Sequence, residues 1–341
     1  MADTCTLWLS DAKSTRCAGV SLASTIYRTD ITIGLVGDLG AGKTTFMQGF
    51  LQGLGVKDSV TSPTYALEQR YITKNSQLAT RNSTTAPAEI LHIDLYRLAE
   101  GKADEFLHSS EDHTGIRCIE WIDQSTCKPD ILITLEEKDE GRMLTVSFDD
   151  IPLPTESDIL RWREEVALPA HIGEHCDAVA SQIAEFGEDL LQRGIIVRPT
   201  ALKLSALAHD LLRFVDFGKS SPHHYPDTPK QHQALWKTWN DTLGEEGHEK
   251  ACQRFLEAQG FAELGSIIEV HGCKKSPSIK STIEQKLLYY ADKRVIFDTR
   301  CTLEERFAEF AERYCNGEIS EQQKLWHEEA KTIEEDLGFS S

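Results

Sequence analysis

Ile31-Thr32-Ile33-Gly34-Leu35-Val36-Gly37-Asp38-Leu39-Gly40-Ala41-Gly42-Lys43-Thr44-Thr45 decides the fold of the first half of this chain. The β-branched run Ile31–Val36 reads as a buried strand, and Lys43 to about Leu54 as a helix stopped by Gly53 and Gly55. Between them, Gly37–Thr44 satisfies GxxxxGK[ST] in full, after a strand and at the start of a helix. Gly37, Gly40, Ala41 and Gly42 let backbone N–H groups turn inward around phosphates. Lys43 supplies a point charge, Thr44 a hydroxyl for Mg²⁺, and the helix dipole adds to the field. Thr45 completes the nucleotide-facing set. A Gly-rich turn matching by chance lacks that flanking order.

Outward from this loop, further strands are expected around Leu91 and over Ile116–Trp121, Asp130–Leu135 and Met143–Phe148. Strands separated by helices imply an α/β domain with a mixed, mostly parallel sheet. Asp94 and Glu120 each end an apolar run, so both carboxylates are expected in the same crevice as the loop, as candidate ligands near the metal. After Asp150 the texture changes. Residues 151–158 read as a linker around Pro152 and Pro154, and 159–341 as helical, with apolar residues at three-and-four spacing. Thr73–Ala88 and Ser220–Lys230 read as loops.

The chain has 341 residues, with 36 Lys+Arg against 55 Asp+Glu, and both halves are acidic. That argues against a protein gripping duplex nucleic acid through a broad basic face, though not against a nucleotide. The nine scattered cysteines form no CxxC pair and suit free thiols in a reducing compartment. With no signal-peptide layout and no apolar run near the ~20 residues a membrane span needs, a cytoplasmic protein without membrane contact is expected.

Four motifs in order resemble one family. Gly37–Thr45, Ser62-Pro63-Thr64-Tyr65, His92-Ile93-Asp94-Leu95-Tyr96-Arg97-Leu98 and Ile119-Glu120-Trp121 are similar to those of TsaE, the bacterial ATPase subunit of tRNA threonylcarbamoyladenosine synthesis. The resemblance covers about residues 5–150. It implies a P-loop NTPase fold, ATP and Mg²⁺ as ligands, and work with TsaD and TsaB at adenosine 37, with tRNA reached only through the complex. It also implies that Lys43 and Thr44 hold phosphate and metal, that Thr64 lies in a switch-like loop, and that Asp94 and Glu120 serve metal and water. Trp121 and Tyr96 remain core, partner-facing or chemical.

The second half carries nine of the twelve histidines. His209-Asp210 lies in an apolar helical stretch where such a pair is hard to bury, and Arg213 shares its face, placed to clamp a phosphate. His175, His248, His271 and Asp292 are further ligand candidates on separate helices. Imidazole mixed with carboxylate suits Fe, Mn, Zn or Co. His171 competes with His175, while His223, His224, Asp177 and Asp216 read as solvated. The pattern of a His, then His-Asp, then a distant Asp resembles the HD phosphohydrolase superfamily. His248 and His271 match the extra pair of its two-metal members. That resemblance implies an all-α HD-type domain over 159–341, two transition-metal ions (Fe or Mn), and Asp210 and Arg213 acting on a small phosphorylated substrate. A sensor or binding module that turns nothing over is the alternative. A general P-loop kinase lacks any acceptor-site signature.

Overall fold

The computed structural model describes residues 3–58, 60–73, 88–99, 101–217, 230–273, 279–315 and 317–339. Most of both expected loops, with His223 and His224, lies outside the described residues. The chain divides into two compact units: Met1–Ile151 with Asp189–Pro199, and Pro152–Glu188 with Thr200–Ser341.

The first unit runs β1 (Asp3–Leu9), α1 (Ala12–Ala23), β2 (Thr32–Val36), α2 (Lys43–Gly53), β3 (Glu68–Thr73), β4 (Ala88–Asp94), α3 (Ala103–His108), β5 (Ile116–Glu120), β6 (Ile131–Lys138) and β7 (Gly141–Phe148). One sheet of seven strands has the order β1-β7-β6-β2-β5-β4-β3. β6, β2, β5 and β4 are mutually parallel; β3 and β7 run against their neighbours, and β1 pairs antiparallel with β7. Five of the seven strands therefore point one way.

Alternation on the central strands feeds two cores. Ile90 and Cys118 join Ile33, Ile133 and residues of α1 and α2 such as Leu22 and Phe50, whereas Leu91, Ile93 and Ile119 pack with Ala103, Leu107 and Ile122. α1 and α2 approach backbone to backbone. A β-carbon on Gly49 would meet the Arg16 carbonyl oxygen at 2.0 Å, and one on Gly19 the Phe46 carbonyl oxygen at 2.2 Å.

The segment Asp189–Pro199 belongs to this unit although it was expected in the second domain. Arg198, fully buried, makes a bidentate pair with Asp150 at 2.7 and 2.8 Å, and its Nε donates to Thr25 Oγ1 at 2.7 Å. Beside it, Ile196 N–H donates to Ser21 Oγ at 2.9 Å.

Beyond Ile151 the chain is helical: α4 (Glu156–Glu165), α5 (Ala170–Gln192), α6 (Pro199–Ala208), α7 (Lys230–Leu243), α8 (His248–Ala258), α9 (Ala262–Ile268), α10 (Ile283–Asp292), α11 (Leu303–Cys315) and α12 (Glu321–Asp336). A two-stranded hairpin, β8 (Val295–Ile296) and β9 (Thr299–Arg300), follows α10. The expected linker is shorter than 151–158. Thr155 caps α4 in a capping box with Asp158, so Glu156–Asp158 are already helical. No helix among the described residues is long and apolar enough to cross a membrane.

Candidate functional site

In the first unit, Asp94 closes β4 and Glu120 closes β5, and the two are register partners across parallel strands. Both carboxylates thus reach the same end of the sheet as the loop after β2. Gly37, Gly40 and Gly42 adopt φ of 148°, 91° and 105°, which a side chain would resist. No side chain caps the amino end of α2, so its first N–H groups favour an anion. A cleft of about 560 Å³ is lined by Gly40, Gly42, Lys43, Thr44, Thr45 and Thr64, together with Asp94, Glu120 and Trp121. Gly37 and Ala41 stand behind it: Gly37 offers its carbonyl to Lys43, and Ala41 is buried in the core.

Thr44 Oγ1 donates to Glu120, 3.0 Å from either carboxylate oxygen. Asp94 Oδ2 accepts from Ser62 Oγ at 3.0 Å and Thr64 Oγ1 at 2.5 Å, and Asp94 Oδ1 from the Tyr96 N–H at 3.0 Å. Loop, helix and both strand ends are thereby tied together. Lys43 Nζ donates to the carbonyls of Gly37 (2.6 Å) and Asp38 (2.9 Å) and lies 3.6 Å from the centre of the Trp121 ring. Burial lowers its pKa, with Glu120 and Asp94 opposing without cancelling the effect. Trp121 holds a left-handed backbone, φ 62°, and pairs with Tyr96 at 5.0 Å.

His92 had no role assigned from sequence, yet its Nε2 lies 2.9 Å from Glu120 Oε1 with both side chains buried. The signal was its position two residues before Asp94, on the same strand face.

In the second unit, the six expected residues His175, His209, Asp210, His248, His271 and Asp292 meet around one cavity of about 450 Å³, with His209 buried against it. They do not all project from helical interiors. α6 ends at Ala208, so His209 and Asp210 lie in the following turn and Arg213 opens a short 3₁₀ turn. The N–H groups of Leu211 and Arg213 bond three residues back rather than four, which tightens the chain and ends the helix. His271 follows α9, His248 begins α8 and Asp292 ends α10; of the six, only His175 is in mid-helix. Helix ends let side chains from separate elements converge on one point.

Three histidines give their Nδ1 proton to a backbone carbonyl: His175 to Phe297 (2.6 Å), His209 to Ala206 (2.7 Å) and His271 to Ile268 (2.7 Å). His248 Nδ1 lies 2.5 Å from Asp216 Oδ2. Every Nε2 is therefore left to face the cluster, the second-sphere arrangement that orients metal ligands. Asp210 belongs to two groups with ligand-like spacing, one with His175 and His209 and one with His248 and His271. Asp292 Oδ1 lies 3.0 Å from His175 Nε2 and 3.8 Å from His209 Nε2. His209 Nε2 and Asp210 Oδ1 are buried without a hydrogen-bond partner. Orphaned donors and acceptors at the focus of imidazoles and carboxylates fit transition-metal ions.

Burial pushes His209 down to about 3. Burial would raise Asp210, but His209, Arg213 and His248 hold it well below the usual carboxylate range. Both shifts keep the residues in their ligating forms. Arg213 Nη1 lies 2.9 Å from the ring nitrogens of His248.

Asp216, expected in solvent, instead holds His248, while Asp177 is exposed and paired with Arg163 at 2.8 Å. His171 lies outside both ligand groups and outside the residues lining the cavity. Sequence reasoning also missed Lys293, whose buried Nζ donates to Asp292 Oδ2 at 2.5 Å and to the His271 carbonyl at 3.1 Å.

The model of the family Threonylcarbamoyl adenosine biosynthesis protein TsaE matches residues 9–144. The tRNA threonylcarbamoyladenosine biosynthesis protein TsaE of Haemophilus influenzae is 37% identical over 117 residues, 33% of this chain and 66% of that protein. Its namesake from Nostoc sp. is 32% identical over 142 residues, 40% of this chain and 80% of the relative. The one from Aquifex aeolicus is 36% identical over 111 residues, covering 32% and 69%. The family match lies in the first half, and through that half the chain belongs to the TsaE family.

Proposed function

We propose that residues 1–150 form an ATPase that supports threonylcarbamoylation of adenosine 37 in tRNA with TsaD and TsaB homologues, meeting tRNA only through that complex. The observation that carries this reading is the joining of Thr44 to Glu120 and of Thr64 to Asp94 around the phosphate-binding loop. Backbone N–H groups of Gly40 and Gly42 and the amino end of α2 bind phosphate oxygens, and Lys43 turns from its two carbonyls to the terminal phosphates. Thr44, Asp94 and Glu120 would hold Mg²⁺, which would supply positive charge to the phosphates. Glu120 orients the water that adds to the γ-phosphorus, and the bond to the β-phosphate oxygen breaks, giving ADP and inorganic phosphate. ATP turnover in the presence of TsaD and TsaB, lost in Lys43→Ala, tests this reading; turnover unchanged in that variant refutes it.

Residues 159–341 form, in the same proposal, an HD-type phosphohydrolase acting on a nucleotide-type phosphoester or phosphoanhydride. The sharing of Asp210 between two ligand groups supports it. His175, His209, Asp210 and Asp292 would hold one ion, and Asp210, His248 and His271 a second. Two such ions, Fe or Mn, would supply Lewis acidity to phosphoester hydrolysis there. Arg213 draws in the phosphate. Metal content after purification without chelator tests this. About two Fe or Mn per chain, lost in Asp210→Ala, is expected. No metal after reconstitution would leave the helical half a sensor or binding module.

A further inference from the structure

The cavity holding the metal-ligand cluster has a wall that the cluster does not use. Arg306 and Phe310 on α11 and Gln323 and Trp326 on α12 line it. Their spacings, four residues on one helix and three on the other, turn one face of each helix toward the same space.

Arg306 is the unusual member. It is 7% exposed, its Nη1 has only a 3.3 Å bond to Glu309, and its Nε is buried with no hydrogen-bond partner. A buried guanidinium with an orphaned donor calls for an anion. Arg306 lines the cavity from α11, whereas Arg213 stands against His248. Two arginines thus line the cavity from different elements. Arg306 also packs over Phe310, 4.3 Å from the ring centre. The half-buried rings of Phe310 and Trp326 offer flat apolar surface beside that charge. Gln323 accepts the Ser320 N–H at 3.0 Å through Oε1, in the capping box that opens α12.

Resting on the phosphohydrolase reading, we infer that α11 and α12 build the substrate subsite of this cavity. Arg306 binds the phosphate, and Trp326 with Phe310 flanks the flat ring of the leaving group. The substrate class is a nucleoside monophosphate, in preference to a sugar phosphate without a base. Water adds to phosphorus, the bond to the ester oxygen breaks, and that oxygen leaves with the proton, giving nucleoside and inorganic phosphate.

The test compares AMP with ribose 5-phosphate on full-length, manganese-loaded protein carrying Lys43→Ala, so that the first unit contributes no phosphate. Trp326→Ala should lower kcat/KM for AMP by about 10-fold or more, the effect of losing base–aromatic stacking, and leave ribose 5-phosphate nearly unchanged. Arg306→Met should lower both substrates by about 50-fold, with partial rescue by Arg306→Lys and unaltered metal content. Equal losses for both substrates in Trp326→Ala, or no loss in Arg306→Met, overturn the subsite while leaving the phosphohydrolase standing. If neither substrate turns over, the nucleoside monophosphate fails as the substrate, and equilibrium dialysis with AMP decides the subsite. Binding lost in both variants retains it as a nucleotide-binding site, and absence of binding rejects it.

Discussion

At Lys43 three attractions compete for one ammonium: the Gly37 and Asp38 carbonyls, the Trp121 face, and the field of Glu120 and Asp94. A phosphate must outbid them. Lys43→Ala is expected to cut ATP turnover with TsaD and TsaB by about 100-fold or more, as loss of a charge-stabilising donor does elsewhere, and a steady-state assay reads it. Asp210 offers a sharper residue-scale test. Because it is common to both ligand groups, Asp210→Ala should lose both metals, whereas His175→Ala should lose only one. Metal analysis per chain distinguishes the two variants, and equal losses contradict a shared carboxylate. Most of these residues were legible because motif spacing or an unusual neighbour marked them. Asp216 was not: its partner His248 is 32 residues away, and a lone acid beyond a helix looks solvated.

Among elements, α1 and α2 depend on missing atoms. A methyl group on Gly49 would drive into the Arg16 carbonyl, a backbone atom that cannot swing aside. Gly49→Ala is therefore expected to destabilise the first unit by about 1–3 kcal/mol or more, although alanine is the better helix former. Thermal denaturation beside a change at exposed Gln52 measures it. The strands flanking the loop were readable from β-branched runs. β1 alternates in burial over Asp3–Leu9, but its residue types hide the pattern, since acidic Asp3 is buried and Trp8 is exposed. α6 was read too long, since apolar spacing continues through Leu211 and Leu212 while the hydrogen bonding shifts to three-residue closure.

For the molecule as a whole, chain order and unit membership part company at Asp189–Pro199. No composition signal marks the return, which is anchored by the Arg198–Asp150 pair and by Ile196 in the first unit's core. Arg198→Ala leaves Asp150 buried without its partner and should cost the first unit about 3–5 kcal/mol. The double change Arg198→Met with Asp150→Leu should recover much of that loss, since neither charge then needs compensation. Chemical denaturation of the three proteins decides between an ion-pair cost and simple loss of packing.

The same pairing sets a timetable for synthesis on the ribosome. Asp150 emerges 48 residues ahead of Arg198. At roughly 5–20 residues per second, the nascent first unit waits about 2–10 s with a carboxylate that has no counter-ion. During that interval the nucleotide-binding unit is incomplete, and a chaperone or nucleotide could act on it before its last segment arrives.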